Sequence, residues 1–313
     1  MLRLSTVFYH GKSFNLVTFG LYAAFGSVFG YSLAFFYLLS KGIPVTEYIW
    51  IALPFFVFGN LVSAKLFSIF SMGRKDYFNG FWNHMNETSF YHQGGVIGFI
   101  IAVLYVSFIL KIPFFLLSDA VGFGGLATMF IGRIGCFDYG CCVGKPTLSR
   151  FHIAYTNPEA KICREVPELI GIPLVPVQLI ASGFNLLLLF LTFILIIFFP
   201  FTGLITIVFF VGINLKRIFI QPLRWKDKSN KISYQWVAFA LIVTIVVLIS
   251  WFTSSGEELF RKEETVIPFT ISNYFTFIIQ DYRILIPLLL AGLINFVAYG
   301  IHGKKLGTHF NLK

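Results

Sequence analysis

Charged residues are scarce in this sequence, at 12% of its 313 residues, whereas a typical soluble domain has about 25%. With a mean hydropathy of +0.80, this scarcity excludes an ordinary soluble domain and predicts an integral membrane protein. Acidic residues are the rarer charged type, since 14 Asp and Glu stand against 24 Lys and Arg, for a formal net charge of +10. In so apolar a chain, the positive excess favours anionic phospholipid over nucleic acid as a partner.

Cysteine is also rare. The four cysteines are Cys136, Cys141, Cys142 and Cys163, and none forms a CxxC pair, so the usual zinc and thioredoxin-like signatures are absent. We therefore expect no metal and no cofactor and interpret the thiols as small apolar side chains; a reactive thiol near Arg133 and a disulfide are the alternatives. A cleavable signal peptide is not expected, because the first apolar run is too long.

Long apolar runs are abundant instead. A spanning helix needs about 20 mostly apolar residues, and the sequence contains eight such segments, near 15–39, 46–70, 94–110, 114–135, 175–198, 203–221, 234–252 and 284–301. They predict an all-α, polytopic membrane helix bundle of about eight transmembrane helices.

The connections between these segments suggest the domain organisation. Residues 137–173 are rich in polar residues and predict a folded extramembrane arm. We expect one membrane domain over 1–252, followed by a polar loop and an additional C-terminal transmembrane helix over 253–313.

Eight spans would place both termini on one side of the membrane. That side collects all but five of the 24 Lys and Arg residues, and the exceptions are Lys41, Lys111, Arg261, Lys262 and Arg283. By the positive-inside rule, this bias predicts cytoplasmic termini.

The segment Gly132–Gly144 is the most informative motif. Arg133 follows a long apolar run and is flanked by Gly132 and Gly135. An arginine at such a border is costly unless an anion meets it, and a guanidinium can bind two phosphate oxygens at once. We predict a phosphate site at Arg133; the alternative is an arginine whose side chain extends from a helix end to water.

A second motif, Tyr91–Gly98, opens the third predicted span. Its paired glycines, Gly94 and Gly95, allow close approach of a ligand or another helix. His92 can act as a base near neutral pH. The alternative is a glycine packing cluster with an interfacial histidine.

The third motif ends the sixth predicted span. Arg217, Gln221 and Arg224 lie at helical spacings of four and three residues, hence on one helix face, although Pro222 can distort that helix. The alternative is a basic cluster that holds anionic lipid without specificity.

Three further polar residues lie in or at the spans. Asp119 should face the bundle interior and pair with a basic group. Gln178 opens the fifth span, where it could donate to a lipid headgroup, and Gln235 opens the seventh in a similar way.

Taken together, these segments resemble the prolipoprotein diacylglyceryl transferase family of bacterial inner membranes, over most of residues 15–252. The similarity is carried by Phe19-Gly20-Leu21, Gln93-Gly94-Gly95-Val96-Ile97-Gly98, Gly132-Arg133-Ile134-Gly135, Val175-Pro176-Val177-Gln178-Leu179, Arg217 to Arg224 and Ile232 to Gln235.

The resemblance implies transfer of a diacylglyceryl group from phosphatidylglycerol to the lipobox cysteine of a prolipoprotein, by a multi-pass protein of the bacterial inner membrane. It assigns phosphate binding to Arg133 and Arg217, with His92 as the base. The substrate-binding residues that it predicts are Gln93, Gly94, Gly95, Asp119, Gly132, Gly135, Gln178, Gln221, Arg224 and Gln235. It also implies that the chemistry occurs on the outer face of the membrane, whereas the charge bias places the Arg133 side in the cytoplasm. We follow the resemblance and expect Arg133 on the outer face.

This sequence departs from the family pattern at several positions. Gln93 stands where the family has its histidine, and a glutamine cannot act as a general base. Cys136 and Cys141 align with the family's Asn and Glu, and Gln221 aligns with a further Glu. These changes leave a second hypothesis open, a non-catalytic or altered-acceptor lipid-binding paralogue. A third is a redox or metal protein that uses Cys136, Cys141, Cys142 and His152.

Overall fold

The computed structural model describes residues 7–10, 14–44, 48, 51, 92–225 and 266–303. It contains a small sheet of three strands, β1 Val7–His10, β2 Phe14–Val17 and β3 Ile301–Gly303. The helices in these residues are α1 Phe19–Ser40, α2 His92–Leu110, α3 Phe114–Tyr139, α4 Lys161–Glu165, α5 Val177–Phe198, α6 Leu204–Ile220, α7 Ile271–Gln280 and α8 Tyr282–Gly300, with 3-10 turns at Pro167–Leu169 and Gln221–Leu223.

The prediction of a helical, multi-span membrane protein is confirmed. Among the described residues, five helices are long and apolar enough to cross a membrane, namely α1, α3, α5, α6 with its 3-10 turn, and α8. The predicted third span falls in α2, where Gly98–Leu110 forms a shorter apolar helix. The predicted spans near 46–70 and 234–252 lie outside the described residues, apart from Tyr48 and Ile51.

Helices α1 and α3 pack closely because small residues face each other along their contact. A side chain added at Gly124 would collide with the carbonyl of Gly30, and one at Gly30 would collide with Thr128. The Thr128 hydroxyl donates to the carbonyl of Gly26 at 3.0 Å. Small residues that allow backbones to approach, with a hydroxyl bond across the contact, are typical of helix pairs in membranes.

The last helix is joined to the first by backbone contacts at one end of the bundle. Gly20 and Gly300 meet so closely that a side chain on Gly20 would collide with Gly300. Beyond them, β2 pairs with β3, with Leu16 opposite Ile301. The first residue of α1 and the last residue of α8 therefore lie on the same side of the bundle. Helix α3 also ends on this side, since Phe19 contacts Tyr139.

The opposite end of the bundle holds the main apolar core. Phe35 stacks on Tyr48 with ring centroids 4.6 Å apart, and Phe36 packs against Phe269 at the same distance. Helix α7 lies against this end, because the hydroxyls of Ser32 and Tyr274 are 2.6 Å apart. This end is therefore closed by aromatic packing.

The extramembrane arm between α3 and α5 is folded around a small core of its own. Leu174 is paired with Ile153 by two backbone hydrogen bonds, of 2.8 and 3.0 Å. The buried members of the core are Val143, Ala160, Ile162, Cys163, Val166, Leu169 and Leu174. The arm begins at Gly140, three residues later than predicted, because α3 continues to Tyr139.

Candidate functional site

Helix α3 ends in a glycine turn that folds the chain back on its own last turn. Gly140 has the left-handed conformation, with φ of +71°. The Cys141 amide donates to the carbonyl of Cys136 at 3.1 Å, and the Gly140 amide donates to Phe137 at 3.3 Å. This pair of bonds is the Schellman motif, which glycine favours because it has no Cβ. The turn brings the residues after α3 back beside Cys136.

Three thiols meet at this turn. The Sγ atoms of Cys136, Cys141 and Cys142 all lie within 4.8 Å of one another, and all three residues are partly buried. Cys142 has φ of +55°, an uncommon backbone for a residue other than glycine. Hydrogen bonds from Cys136 and Cys141, and the positive charges of Arg224 and Arg133, hold the pKa of Cys142 well below its ordinary value.

Four basic side chains converge beside the thiols. Arg133 is half-buried and lies beside the thiol of Cys142. Lys216 and Arg217, at the end of α6, lie within electrostatic range of Arg133, and Arg224 lies within range of Arg217. Arg133 therefore belongs to a cluster of basic side chains.

Backbone pairing holds the end of α6 against the turn after α3. Gly144 forms an isolated bridge with Arg224. On either side of it, the Trp225 amide donates to Val143 at 3.0 Å, and the Lys145 amide donates to Leu223 at 2.9 Å. The predicted distortion by Pro222 takes the form of a 3-10 turn over Gln221–Leu223, which brings Arg224 close to the thiols.

Helix α5 lines the site with a polar face. The Gln178 side chain is almost fully buried and donates to the carbonyl of Cys141 at 2.8 Å and to the hydroxyl of Tyr155 at 3.2 Å. One turn on, Ser182 donates to the carbonyl of Phe130 at 2.9 Å. Asn185 follows, and its oxygen accepts from Lys216 at 2.5 Å. Residues 178, 182 and 185 follow helical spacing, so one face of α5 is polar in an apolar helix.

Three buried polar atoms of this site have no hydrogen-bond partner among the described residues. They are Oε1 of Gln178, Oε1 of Gln221 and Nδ2 of Asn185. Buried polar groups are nearly always bonded in folded proteins, and each exception calls for an explanation. Two open acceptors and one open donor beside a basic cluster fit a polar ligand better than a closed core.

Several residues predicted from the sequence therefore meet at one end of the bundle. Arg133 in α3, Gln178 in α5, Arg217 in α6 and Arg224 just after the following 3-10 turn lie around or next to the three thiols. Gln221 begins that 3-10 turn, between Arg217 and Arg224. Gly132 borders open space among the described residues, because a side chain added there would meet none of their atoms within 4 Å.

Asp119 is apart from this group. Its interior position is as predicted, with no exposed surface. Its carboxylate accepts from the amides of Gly203 and Thr206 at 2.6 and 2.7 Å, and from the Thr206 hydroxyl. It thus stabilises the positive N-terminal end of α6. Fourteen residues of helix, about 21 Å, separate Asp119 from Arg133, so Asp119 lies away from the proposed phosphate site.

Gly135 has a packing role rather than a ligand contact. A Cβ at this position would lie 2.7 Å from the Cβ of Tyr22 and 3.0 Å from the ring of Phe19. Gly135 therefore allows α3 to approach α1.

The remaining predicted residues are less informative. His92, Gln93, Gly94 and Gly95 form the first turn of α2, but their side chains lie outside the described residues, as does Gln235.

His152 does not join the thiols. It is exposed on the arm, where its Nδ1 is 2.8 Å from the carbonyl oxygen of Ser149. His152 therefore lies outside the thiol cluster with which the third hypothesis, a redox or metal protein, had grouped it.

Sequence reasoning missed Lys216, Asn185 and Tyr155. The first two are buried and bonded to each other, and Tyr155 links Gln178 to the carbonyl of Phe137 at 2.9 Å. The polar spacing of Gln178, Ser182 and Asn185 was the signal that could have identified Asn185. Nothing local in the sequence pointed to Tyr155, which belongs to the arm.

Comparison with known families gives one match. The family model described as prolipoprotein diacylglyceryl transferase matches residues 6–251, which is more than three quarters of the chain and includes every residue of this site. The match ends before α7 and α8. Comparison with individually curated proteins finds no relative similar enough to match. The chain belongs to the prolipoprotein diacylglyceryl transferase family, a family of transferases, and is a multi-pass membrane protein.

Proposed function

We propose that this protein transfers a diacylglyceryl group from phosphatidylglycerol to the lipobox cysteine thiol of a prolipoprotein in a bacterial inner membrane, and releases glycerol phosphate. The observation that carries the proposal is the convergence of Arg133 and Arg217, from two different helices, at a partly buried site. The family match supports the reaction class. Phosphatidylglycerol as the donor, the lipobox cysteine as the acceptor and the bacterial inner membrane as the location are parts of this proposal.

The two arginines would bind the phosphate of the donor lipid. When the carbon–oxygen bond to the diacylglyceryl group breaks, the phosphate gains negative charge, and fixed positive groups stabilise that charge without reorganisation. Guanidinium groups suit this role because each can bind two phosphate oxygens. Lys216 and Arg224 add positive potential behind them.

The neighbouring polar atoms favour a headgroup that carries hydroxyl donors. Oε1 of Gln178 and Oε1 of Gln221 are buried acceptors without a partner among the described residues. The glycerol headgroup of phosphatidylglycerol offers two hydroxyls that could donate to them. Among the described residues, the space at Gly132, next to Arg133, is open and would leave room for this headgroup.

A base must accept the proton of the acceptor thiol. We assign this role to His92, at the start of α2, because Gln93 cannot take a proton. His92→Ala should then reduce transfer, while binding of phosphatidylglycerol is retained.

A second candidate function is a lipid-binding paralogue without transferase activity or with another acceptor. Gln93, Cys136 and Cys141 favour it, because they replace the family's histidine, Asn and Glu. The three thiols give this alternative a specific structural basis.

The deciding experiment is mass analysis of lipid and peptide products after the purified protein is incubated with phosphatidylglycerol and a lipobox peptide. We expect thioether-linked diacylglyceryl peptide and glycerol phosphate. Arg133→Ala and Arg217→Ala should each lower turnover about 100-fold or more, and the exposed Arg150→Ala should not. Full turnover in both site variants would refute the phosphate assignment, and lipid binding without product would favour the paralogue.

A further inference from the structure

The three thiols at the end of α3 have no role in the function proposed above. Cys136, Cys141 and Cys142 are free, and their Sγ atoms lie within 4.8 Å of one another. A soft cation that prefers sulfur ligands would find three of them in one place. We propose that these cysteines bind a zinc ion whose fourth position receives the thiol of the acceptor cysteine. This inference rests on the proposed function for the identity of the acceptor.

The ligand distances suit zinc. Sulfur ligands lie about 2.3 Å from zinc, so tetrahedral neighbours are about 3.8 Å from one another. The three thiols are at most 4.8 Å apart, and small side-chain rotations would bring them to the metal. Structural zinc sites use four protein ligands, whereas catalytic sites keep one position open. Among the described residues, the cluster contains three ligands, which is the number of an open site.

The backbone is built to bring the thiols together. The Schellman turn at Gly140 places Cys141 beside Cys136 through the 3.1 Å bond between their backbones. The next residue, Cys142, adopts φ of +55°, a conformation that costs of order 1 kcal/mol or more for a residue other than glycine. Such strain is retained where the surrounding structure over-determines it, and here it directs a third thiol to the other two.

The charges around the cluster fit an anionic metal centre. Three thiolates and one divalent zinc carry a single net negative charge, which rises to two when a thiolate substrate binds. Arg133 lies beside the thiol of Cys142, and Arg217 and Arg224 lie within electrostatic range of it. Partners that orient and balance metal ligands in this way are a regular feature of metal sites. A disulfide carries no charge and would gain no electrostatic stabilisation from these basic side chains.

The metal would activate the acceptor thiol. A thiol that coordinates zinc is deprotonated, so the bound acceptor becomes a thiolate nucleophile. Its sulfur attacks the glyceryl carbon that bears the phosphate ester; the new carbon–sulfur bond forms while the carbon–oxygen bond breaks, and the electron pair leaves with the phosphate. The thiol proton, carried by His92, ends on the released glycerol phosphate. Zinc coordination would thus compensate for Gln93, which replaces the family's histidine.

The test measures metal and sulfur chemistry separately from activity. The full-length protein, purified in detergent under reducing conditions, should contain about one zinc per chain by elemental analysis. Replacement by Co²⁺ should give the near-ultraviolet absorption of a cobalt–thiolate centre. Cys141→Ser should lower zinc content at least about tenfold, because two thiolates are too few ligands. The matched control is Cys163→Ser, whose thiol lies in the arm core and donates to Tyr155; it should retain zinc.

Wild-type protein treated with a chelator provides a second arm that does not depend on the folding of a variant. Removal of zinc should abolish transfer, and returned zinc should restore it. Full transfer by zinc-free protein, or a disulfide among the three cysteines in freshly purified protein, would overturn the inference and leave the proposed function intact. Zinc with a thiolate signature but no product from phosphatidylglycerol and a lipobox peptide would overturn the proposed function and leave the metal site.

Discussion

Helices α3 and α6 contact each other at two buried polar regions that differ in kind. Near one end of α3, both oxygens of the Asp119 carboxylate accept hydrogen bonds from the first turn of α6. Near the other end, Arg133 lies beside three thiols and two further basic residues of α6, Lys216 and Arg217. The first region is electrostatically complete, whereas the second concentrates like charges.

This difference separates a structural region from a functional one. A buried carboxylate whose oxygens meet a helix N-terminus stabilises the fold and has little left to offer a ligand. Like charges held together, open acceptors on Gln178 and Gln221, and a strained Cys142 all reduce stability. Features of this kind persist where a ligand completes them.

The largest effect is expected at the Asp119 region. Asp119→Ala leaves the first turn of α6 without its acceptor, and we expect a loss of about 3 kcal/mol or more in the free energy of unfolding. The molecules that remain folded should transfer lipid at the wild-type rate. Unfolding in detergent and turnover per folded molecule are the measurements. A specific loss of turnover without loss of stability would abolish the contrast between the two regions.

The second effect concerns the two arginines. If Arg133 and Arg217 hold the same phosphate, each alanine variant should lose about 100-fold in turnover, and the double variant should lose little more. Their stability should fall less than that of Asp119→Ala, because the removal of one charge relieves repulsion within the cluster. Single-turnover rates of the four proteins in the cycle provide the measurement. Strictly multiplicative losses would indicate separate roles.

A third prediction uses two glycines of α3 as a matched pair. Gly135→Ala should destabilise the protein by about 1–3 kcal/mol, because the new methyl group would lie 2.7 Å from Tyr22. Gly132→Ala meets no atom within 4 Å in the part of the chain that the structure describes, and the variant should have a nearly unchanged or slightly higher stability. It should instead weaken binding of phosphatidylglycerol if the headgroup occupies that space. Thermal unfolding and lipid binding of both variants test this assignment.

The smallest effect is expected at Gln178. Gln178→Leu removes a buried acceptor, and we expect the KM for phosphatidylglycerol to rise about tenfold, in line with the loss of one hydrogen bond to a headgroup hydroxyl. The same variant should bind a lipid without headgroup hydroxyls as wild type does. Equal losses for both lipids would indicate that Gln178 supports the turn at Cys141 instead.

Hydropathy was sufficient to predict the long helices, because a spanning segment needs only length and apolar composition. The meeting of Arg133 with Arg217 followed from the resemblance to the family. The cap at Asp119 did not follow, because its partner lies 84 residues away and no local pattern marks it. The three cysteines entered the sequence analysis only in the third hypothesis, together with His152, because their spacing matches no common metal motif; the close approach of their thiols depends on the turn at Gly140. The strands were too short to predict.

The pairing of β2 with β3 decides how the location of the site can be measured. Leu16 and Ile301 are neighbours in this sheet, and the thiols after α3 lie at the same end of the bundle. A tag inserted directly before β1 or directly after β3 therefore lies on the same side of the bundle as the thiols. Labelling of such a tag with a reagent that cannot cross lipid would show which side of the membrane holds the site. A cytoplasmic site would agree with the charge bias and an outer site with the family resemblance. Under the proposed function, the first would modify the precursor's cysteine before export and the second after export.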